Sequence, residues 1–267
     1  MIRHVFSKQN RALLAELVRT DFKLRYQGSA LGYAWSLLRP LLLFLILYLV
    51  FVKFIKIGEG VPHFPVYLLL GIVVWNFFLE MTTRSLSSIV ERGDLIRKIS
   101  IPRWIIILSS SVSALINLFL NLLVVLFFLI INDVDLLKTA LWAPLLLLEV
   151  YVFAVGLSLL LSAAYVKYRD VNYIWEVVLQ AGFYLTPILY PLALITNQTF
   201  QKLIMINPMA QSIQDLRYSV VTHETRTIYQ VFHGGWYKFV PFVIVVLVFI
   251  AGVKYFRSQS KFFAENV

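Results

Sequence analysis

The chain has 267 residues, of which 60% are hydrophobic and only 14% are charged, with a formal net charge of +10. An average globular chain carries roughly 45–50% apolar and about 25% charged residues, so this balance excludes a water-soluble enzyme, and it is the reverse of what a disordered chain needs. Cysteine is absent, which removes disulfides, thiol nucleophiles and zinc–cysteine sites, and the histidines (His4, His63, His223, His233) are scattered. What remains is an all-α polytopic membrane protein, read here as a single domain over residues 1–267.

Residues 1–35 open the chain with an amphipathic helix. Between about Arg11 and Tyr26, Leu13, Leu14, Leu17, Val18, Phe22 and Leu24 share one side at helical spacing, with Glu16, Arg19 and Lys23 opposite. Such a helix lies in the membrane interface with its cations towards the headgroups. Asp21 and Arg25 interrupt the apolar arc four residues apart, a spacing at which they could pair. The helix is either a plain surface anchor or part of a docking surface for a cytoplasmic partner. Residues 28–32, with Gly28 and Gly32, supply the turn that follows.

A hydrocarbon core about 30 Å thick needs roughly 20 mostly apolar residues per helix, and six stretches meet that test: 36–55, 64–81, one within 104–131, 141–166, 174–194 and 239–256. All are expected to be helical, because an open sheet edge in lipid leaves backbone groups unsatisfied. The first long apolar block starts only at Leu41, so no cleavable signal is expected. With the N-terminus inside, the cytoplasmic segments 1–39, 82–103, 165–173 and the tail hold 17 of the 24 lysines and arginines. The positive-inside rule then places both ends in the cytoplasm. The same charge is no sign of nucleic-acid binding, since no soluble basic domain exists to carry it.

Two connecting segments stand out. In the cytoplasmic segment 82–103, Glu91, Arg92, Asp94, Arg97 and Lys98 alternate with Leu95, Ile96, Ile99 and Ile101, and Pro102 marks a stop. A short helix pressing those aliphatics into another protein explains the pattern, and so does a segment dipping into the membrane interface. In the outer segment 195–238, Asn207-Pro208 reads as an N-cap and first-turn proline. Met209, Ile213, Leu216 and Val220 then repeat on one helical face, with Gln211, Gln214, Asp215 and Arg217 elsewhere. A patch of Phe200, Leu203, Ile204 and Ile206 precedes it. Two short amphipathic re-entrant helices between spans five and six follow from both. The sequon at Asn197 is too short a match to carry weight.

Polar residues inside spans are few and costly. Asn117 and Asn121 stand one turn apart, as do Asn76 and Glu80, and interhelical hydrogen bonding is the simplest use for the asparagines. Glu149 lies in the outer half of the fourth span with no evident task. Ala154, Ser158 and Ser162 make a small-residue ridge for close packing. Pro187 and Pro191 break the fifth span near its outer end, beside a cavity. Tyr48, Phe51, Tyr184 and Tyr190 are candidates to line a path on which sugar rings slide. The sequence contains no GxxxxGK[ST] phosphate loop, no HExxH and no GxSxG. Transport energy is therefore expected from a separate subunit, and no cofactor or metal is expected in this chain.

In order, Phe22-Lys-Leu-Arg-Tyr26, Leu31-Gly-Tyr-Ala-Trp35, Arg39-Pro40, Ile101-Pro102, Tyr168-Arg-Asp170, Thr186-Pro-Ile-Leu-Tyr190 and Asn207-Pro-Met209 resemble the permease subunit of type-2 ABC exporters. These exporters carry lipid-linked polysaccharides such as O-antigen, capsule or teichoic acid. The resemblance covers essentially the whole chain and implies a homodimer in the bacterial cytoplasmic membrane, joined to two copies of a separate ATPase that holds ATP and Mg. It implies that Glu91, Arg92, Asp94, Leu95, Ile96, Arg97, Lys98 and Ile99 form the coupling helix, with Arg169 and Asp170 as a second contact. The interface helix would carry Arg19, Lys23 and Arg25. Pro208, Met209, Ile213 and Leu216 would belong to the outer gate, and the first and fifth spans would line the path. Arg25 or Arg39 would lie near the diphosphate of a polyprenyl-linked glycan, with Arg39 on the path. An exporter of a drug or lipid, a lipid-modifying enzyme, and a partner-independent channel are the rival readings.

Overall fold

The computed structural model describes residues 8–26, 28, 29, 31–98, 102–135 and 138–263. Ile99 and the side chains of Leu24 and Arg25 lie outside the described residues. The described chain is helical with no strand. In chain order its helices are α1 (Lys8–Tyr26), α2 (Trp35–Leu47), α3 (Phe64–Glu91), α4 (Gly93–Lys98), α5 (Trp104–Ile131) and α6 (Ala143–Lys167). They continue as α7 (Val171–Leu185), α8 (Gln198–Met205), α9 (Pro208–Val220), α10 (Ile228–Val231) and α11 (Val240–Gln259). A π-helical stretch, Tyr48–Phe54, prolongs α2.

Local chemistry sets many of the boundaries. Helices α3, α6, α9 and α11 each carry a proline in the first turn, where the missing N–H would have no helical partner anyway. The Asn207 side chain accepts from the Met209 N–H at 3.0 Å, the N-cap expected there. Asn197 does the same for α8, accepting from Thr199 N–H at 2.8 Å. The sequon residue is thus a helix cap. Thr227 and Gln230 close a reciprocal capping box on α10.

Five helical stretches among the described residues are long and apolar enough to cross a membrane: Trp35–Phe54, Phe64–Glu91, Trp104–Ile131, Lys138–Lys167 and Trp236–Phe262. The expected fifth span is the exception. Helix α7 has 15 residues, about 22 Å at 1.5 Å per residue, and stops short of the ~30 Å core. It ends because Thr186 precedes Pro187 and is extended, with φ −79° and ψ 132°, the conformation that a following proline imposes. One correction concerns the segment 82–103. Helix α3 does not stop near Met81 but continues to Glu91, so only the six residues of α4 form a separate short helix.

Helix α3 is the centre of the bundle, with 78% of its most apolar window buried. It packs on α5 and α6 along its length. One of its ends meets α1 and α4, and the other meets α9. Helix α11 packs on α6 with the backbones in contact at Gly156 and Gly252. A Cβ on Gly156 would come within 2.8 Å of Phe249 Cα, so this pair allows the close approach that the sequence assigned to Ala154, Ser158 and Ser162. Those three are fully buried too. Gly156→Val is expected to destabilise the bundle by about 1–3 kcal/mol, the usual range for overpacking. A lower thermal unfolding midpoint in detergent checks this, and an unchanged midpoint would show that α11 yields freely.

Candidate functional site

At the α4 end, helix α1 turns Leu17 inward and leaves Glu16, Arg19 and Lys23 exposed. Leu13, Leu14, Val18 and Phe22 are half-buried, and the helix packs on α5. Its amphipathic pattern is therefore used at least partly against the protein's own bundle. Asp21 has a partner beyond its own helix. It accepts a hydrogen bond from the Arg92 guanidinium, which also donates to Ser109 Oγ at 3.0 Å. Arg92 stands just beyond α3 and Ser109 lies in α5, so one guanidinium ties α1, the α3–α4 junction and α5 together.

The alternating residues of α4 divide between two tasks. Ile96 is buried in a cluster with Ile89, Ile106 and Phe263 and is not available to a partner. Leu95 is half-buried, while Glu91, Asp94, Arg97 and Lys98 are exposed. Arg97 donates to Asp94 at 2.9 Å within the same short helix. Arg169 and Asp170 are exposed in the turn after α6, with the Arg169 guanidinium 5.1 Å from the Tyr165 ring centroid.

Between α2, α3, α5 and α7 lies an open cavity of about 1030 Å³. One wall is polar. Asn121 donates to Ser36 O at 3.3 Å and to Asn117 O at 2.8 Å. Asn117 donates to Glu80 Oε1 at 2.6 Å, and Glu80 pairs with Arg84 at 3.4 Å. The asparagines thus make the interhelical bonds expected of them, and they also line a cavity, which spacing alone did not reveal. Asn121 has a specific task. Pro40 sits inside α2 and lacks the N–H that would bond Ser36 O, so Asn121 supplies the missing donor. The other wall is aromatic: Trp75, Trp175, Phe183 and Tyr184 line it, with Trp75 and Phe183 edge to face at 6.0 Å.

Of the expected path residues, Arg39 and Tyr184 line this cavity and Tyr48, Phe51 and Tyr190 do not. Tyr48 and Phe51 pack against the core. The Tyr190 hydroxyl donates to Tyr184 O at 3.2 Å and also reaches Leu185 O, so it caps the carbonyls left at the end of α7.

At the opposite end, Pro208, Met209, Ile213 and Leu216 are buried as an apolar face should be. The polar face is buried as well. Gln211, Gln214 and Arg217 have no exposed surface, because α9 is wedged among α3, α6 and Lys138–Trp142. Its polar groups are met inside: Gln211 donates to Asp215 at 2.8 Å, and Tyr67 donates to Gln214 Oε1 at 3.2 Å. Burial pushes the Asp215 carboxyl above its ordinary value, against the hydrogen bonds from Gln211 and the Ile228 N–H. Glu149 is buried beside Gln211, Ser212 and Asp215.

The chain belongs to the ABC-2 type transporter family, whose model matches residues 12–221. It is 29% identical over 269 residues, covering 100% of this chain and 99% of the relative, to the O-antigen export system permease protein RfbA of Myxococcus xanthus. It is 30% identical over 206 residues to the protein of the same name from Klebsiella pneumoniae, covering 77% of this chain and 78% of the relative. Membership makes the chain a multi-pass membrane subunit of a transporter rather than an enzyme, working with an ABC ATPase.

Asp21 and Arg92 are mostly buried, so removing either partner strands the other. Asp21→Ala and Arg92→Ala are expected to lower stability together by less than the sum of their separate effects, with a coupling of about 0.5–3 kcal/mol. A double-mutant cycle on thermal unfolding measures it, and strict additivity would rule the lock out.

Proposed function

We propose that the chain is the transmembrane subunit of an ATP-driven exporter that moves a polyprenyl-diphosphate-linked polysaccharide across the bacterial cytoplasmic membrane. The observation that carries this is the cavity with one aromatic wall and one polar wall, in a chain similar over its whole length to an O-antigen export permease. Aromatic faces let sugar rings stack and slide, while Arg39, Arg84 and the asparagine amides offer donors to hydroxyl and diphosphate oxygens. ATP and Mg belong to the partner.

Two copies working together is the second part of the reading. Helix α7 ends at the Pro187 break and buries only Leu179. Its exposed surface sets Glu176 and Gln180 beside Tyr173, Ile174 and Val177. A glutamate and a glutamine at membrane depth belong against protein or a water-filled passage, not lipid. A second copy covering α7 creates such a passage, with α2 and α7 of each copy along it. Basic-residue bias places α1, α4 and both termini on the cytoplasmic side. There two ATPase copies would grip Glu91, Asp94, Leu95, Arg97 and Lys98, with Arg169 and Asp170 beside them. The exposed Arg19 and Lys23 of α1 flank that surface. ATPase closure pushes α4, and α3, continuous with it, carries the thrust through the bundle.

Cells lacking this chain are expected to accumulate the lipid-linked glycan inside and to lose it from the surface, and reconstitution of the chain with its ATPase is expected to restore transport. Undiminished surface glycan in such cells would dismiss the reading. For the coupling surface, Asp94→Arg and Arg97→Glu are expected to cut substrate-stimulated ATP hydrolysis at least tenfold. Both side chains are exposed, at 81% and 53%, so the bundle itself should survive. Normal assembly with full stimulation in both variants would disprove the assignment.

A further inference from the structure

Arg217 has no part in the export reading, yet it is fully buried. All three of its guanidinium nitrogens donate to main-chain carbonyls: Nε to Tyr67 O at 2.9 Å, Nη1 to Pro187 O at 2.5 Å and Nη2 to Ile188 O at 2.7 Å. The guanidinium also stacks on the Tyr67 ring, 3.7 Å from its centroid. These partners belong to separate elements: Tyr67 lies in the first turns of α3, and Pro187 and Ile188 follow the broken end of α7.

The surroundings are shaped to this arrangement. Gly71 stands one turn along α3 from Tyr67, and a Cβ there would fall on the Arg217 guanidinium. Glycine costs about 1 kcal/mol in a helix interior relative to alanine, and here it clears the space that the guanidinium fills. Tyr67 is held twice over, since its hydroxyl donates to Gln214, also on α9. Thr186, Ile188 and Leu189 are buried around the same point. Released from its carbonyls, the guanidinium would be a buried charge with unsatisfied donors, and the carbonyls would lose their partners as well.

We propose that Arg217 is a positioning residue for export, a strut that makes α9, the start of α3 and the broken end of the path-lining α7 move as one rigid body. Opening at this end then swings α7 together with α9 and does not part them. This rests on the export reading given above, which supplies the movement to be transmitted.

The chain has no cysteine, so spin labels introduced at Leu185→Cys and Glu224→Cys before assembly are the only ones on it, and mixing with excess unlabelled chain keeps the measured pair within one copy. Leu185 ends α7 and is exposed. Glu224 follows α9 and is tied to it through Thr222, which accepts the Glu224 N–H and donates its own N–H to Arg217 O. In the complex with its ATPase, the distance between the labels is expected to be the same without nucleotide and with bound ATP. Arg217→Met removes the donors and Gly71→Ala displaces the guanidinium while keeping its charge. Both are expected to broaden the distance distribution and to lower export at least tenfold while ATP hydrolysis continues, a split that general misfolding would not give. Arg217→Lys, which keeps the charge without the planar fork, is expected to recover only part of the loss.

A label separation that changes on ATP binding in the otherwise unsubstituted complex would overturn the strut, as would unaltered distributions in both Arg217→Met and Gly71→Ala. If Arg217→Met does not assemble, Gly71→Ala decides alone. If no ATPase co-purifies, the export reading fails, and the distributions of the chain alone in lipid nanodiscs, with and without Gly71→Ala, still decide whether the strut exists.

Discussion

A main-chain carbonyl that loses its helical partner away from water must find another donor, and this bundle is organised around meeting that demand. Pro40 frees Ser36 O, and Asn121 of α5 reaches across to it. Pro187 ends α7, and the carbonyls beyond the break are taken by Arg217 of α9. The last carbonyls of α7 are met by Tyr190. At the first two sites a proline opens the backbone and a side chain distant in sequence closes it, while Tyr190 closes the third from five and six residues away. Irregular backbone in a membrane protein persists only where it is buried in protein or lines a cavity, and here the donors that permit it also fix how the helices sit. The cavity between α2, α3, α5 and α7 is bounded by elements positioned in this way.

Helix α3 gives the two ends of the molecule a common axis. With 28 residues it is about 42 Å long, longer than the hydrocarbon core is thick. At one end Arg92, just past it, holds α1 through Asp21 and α5 through Ser109. At the other, Tyr67 and Gly71 receive Arg217. A displacement of α4 therefore has a continuous, tightly packed route to α9. The pushing mechanism proposed above requires such a route.

Much of this was legible in the sequence. The amphipathic pattern of α1, the cap at Asn207 and the break at Pro187 are local. They depend on residues within a turn or two of one another, where spacing and backbone restriction act directly. Hydropathy marked the spans because length and apolarity are properties of contiguous residues. The fifth span is interrupted where its prolines fall: apolar residues continue past Pro187, but the helix does not. Helix α3 was cut short because Thr82, Ser85 and Ser88 lower its hydropathy, although all three are buried; the Thr82 and Ser88 hydroxyls bond within the helix, and Thr82 also accepts from Trp175.

What the amino-acid order determined unaided was the membrane class, the positions of most helices and the sites where they begin or break, since each follows from neighbouring side chains and the backbone they share. Tertiary structure alone decided the pairings. Asp21 was drawn to Arg92, Ile96 turned inward, and the polar face of α9, with Arg217 at its centre, was buried. Periodicity separates polar from apolar faces, but it does not say what a polar face will meet. A guanidinium reads as a surface charge until three carbonyls from two other segments converge on it, and that convergence is set by how the helices pack.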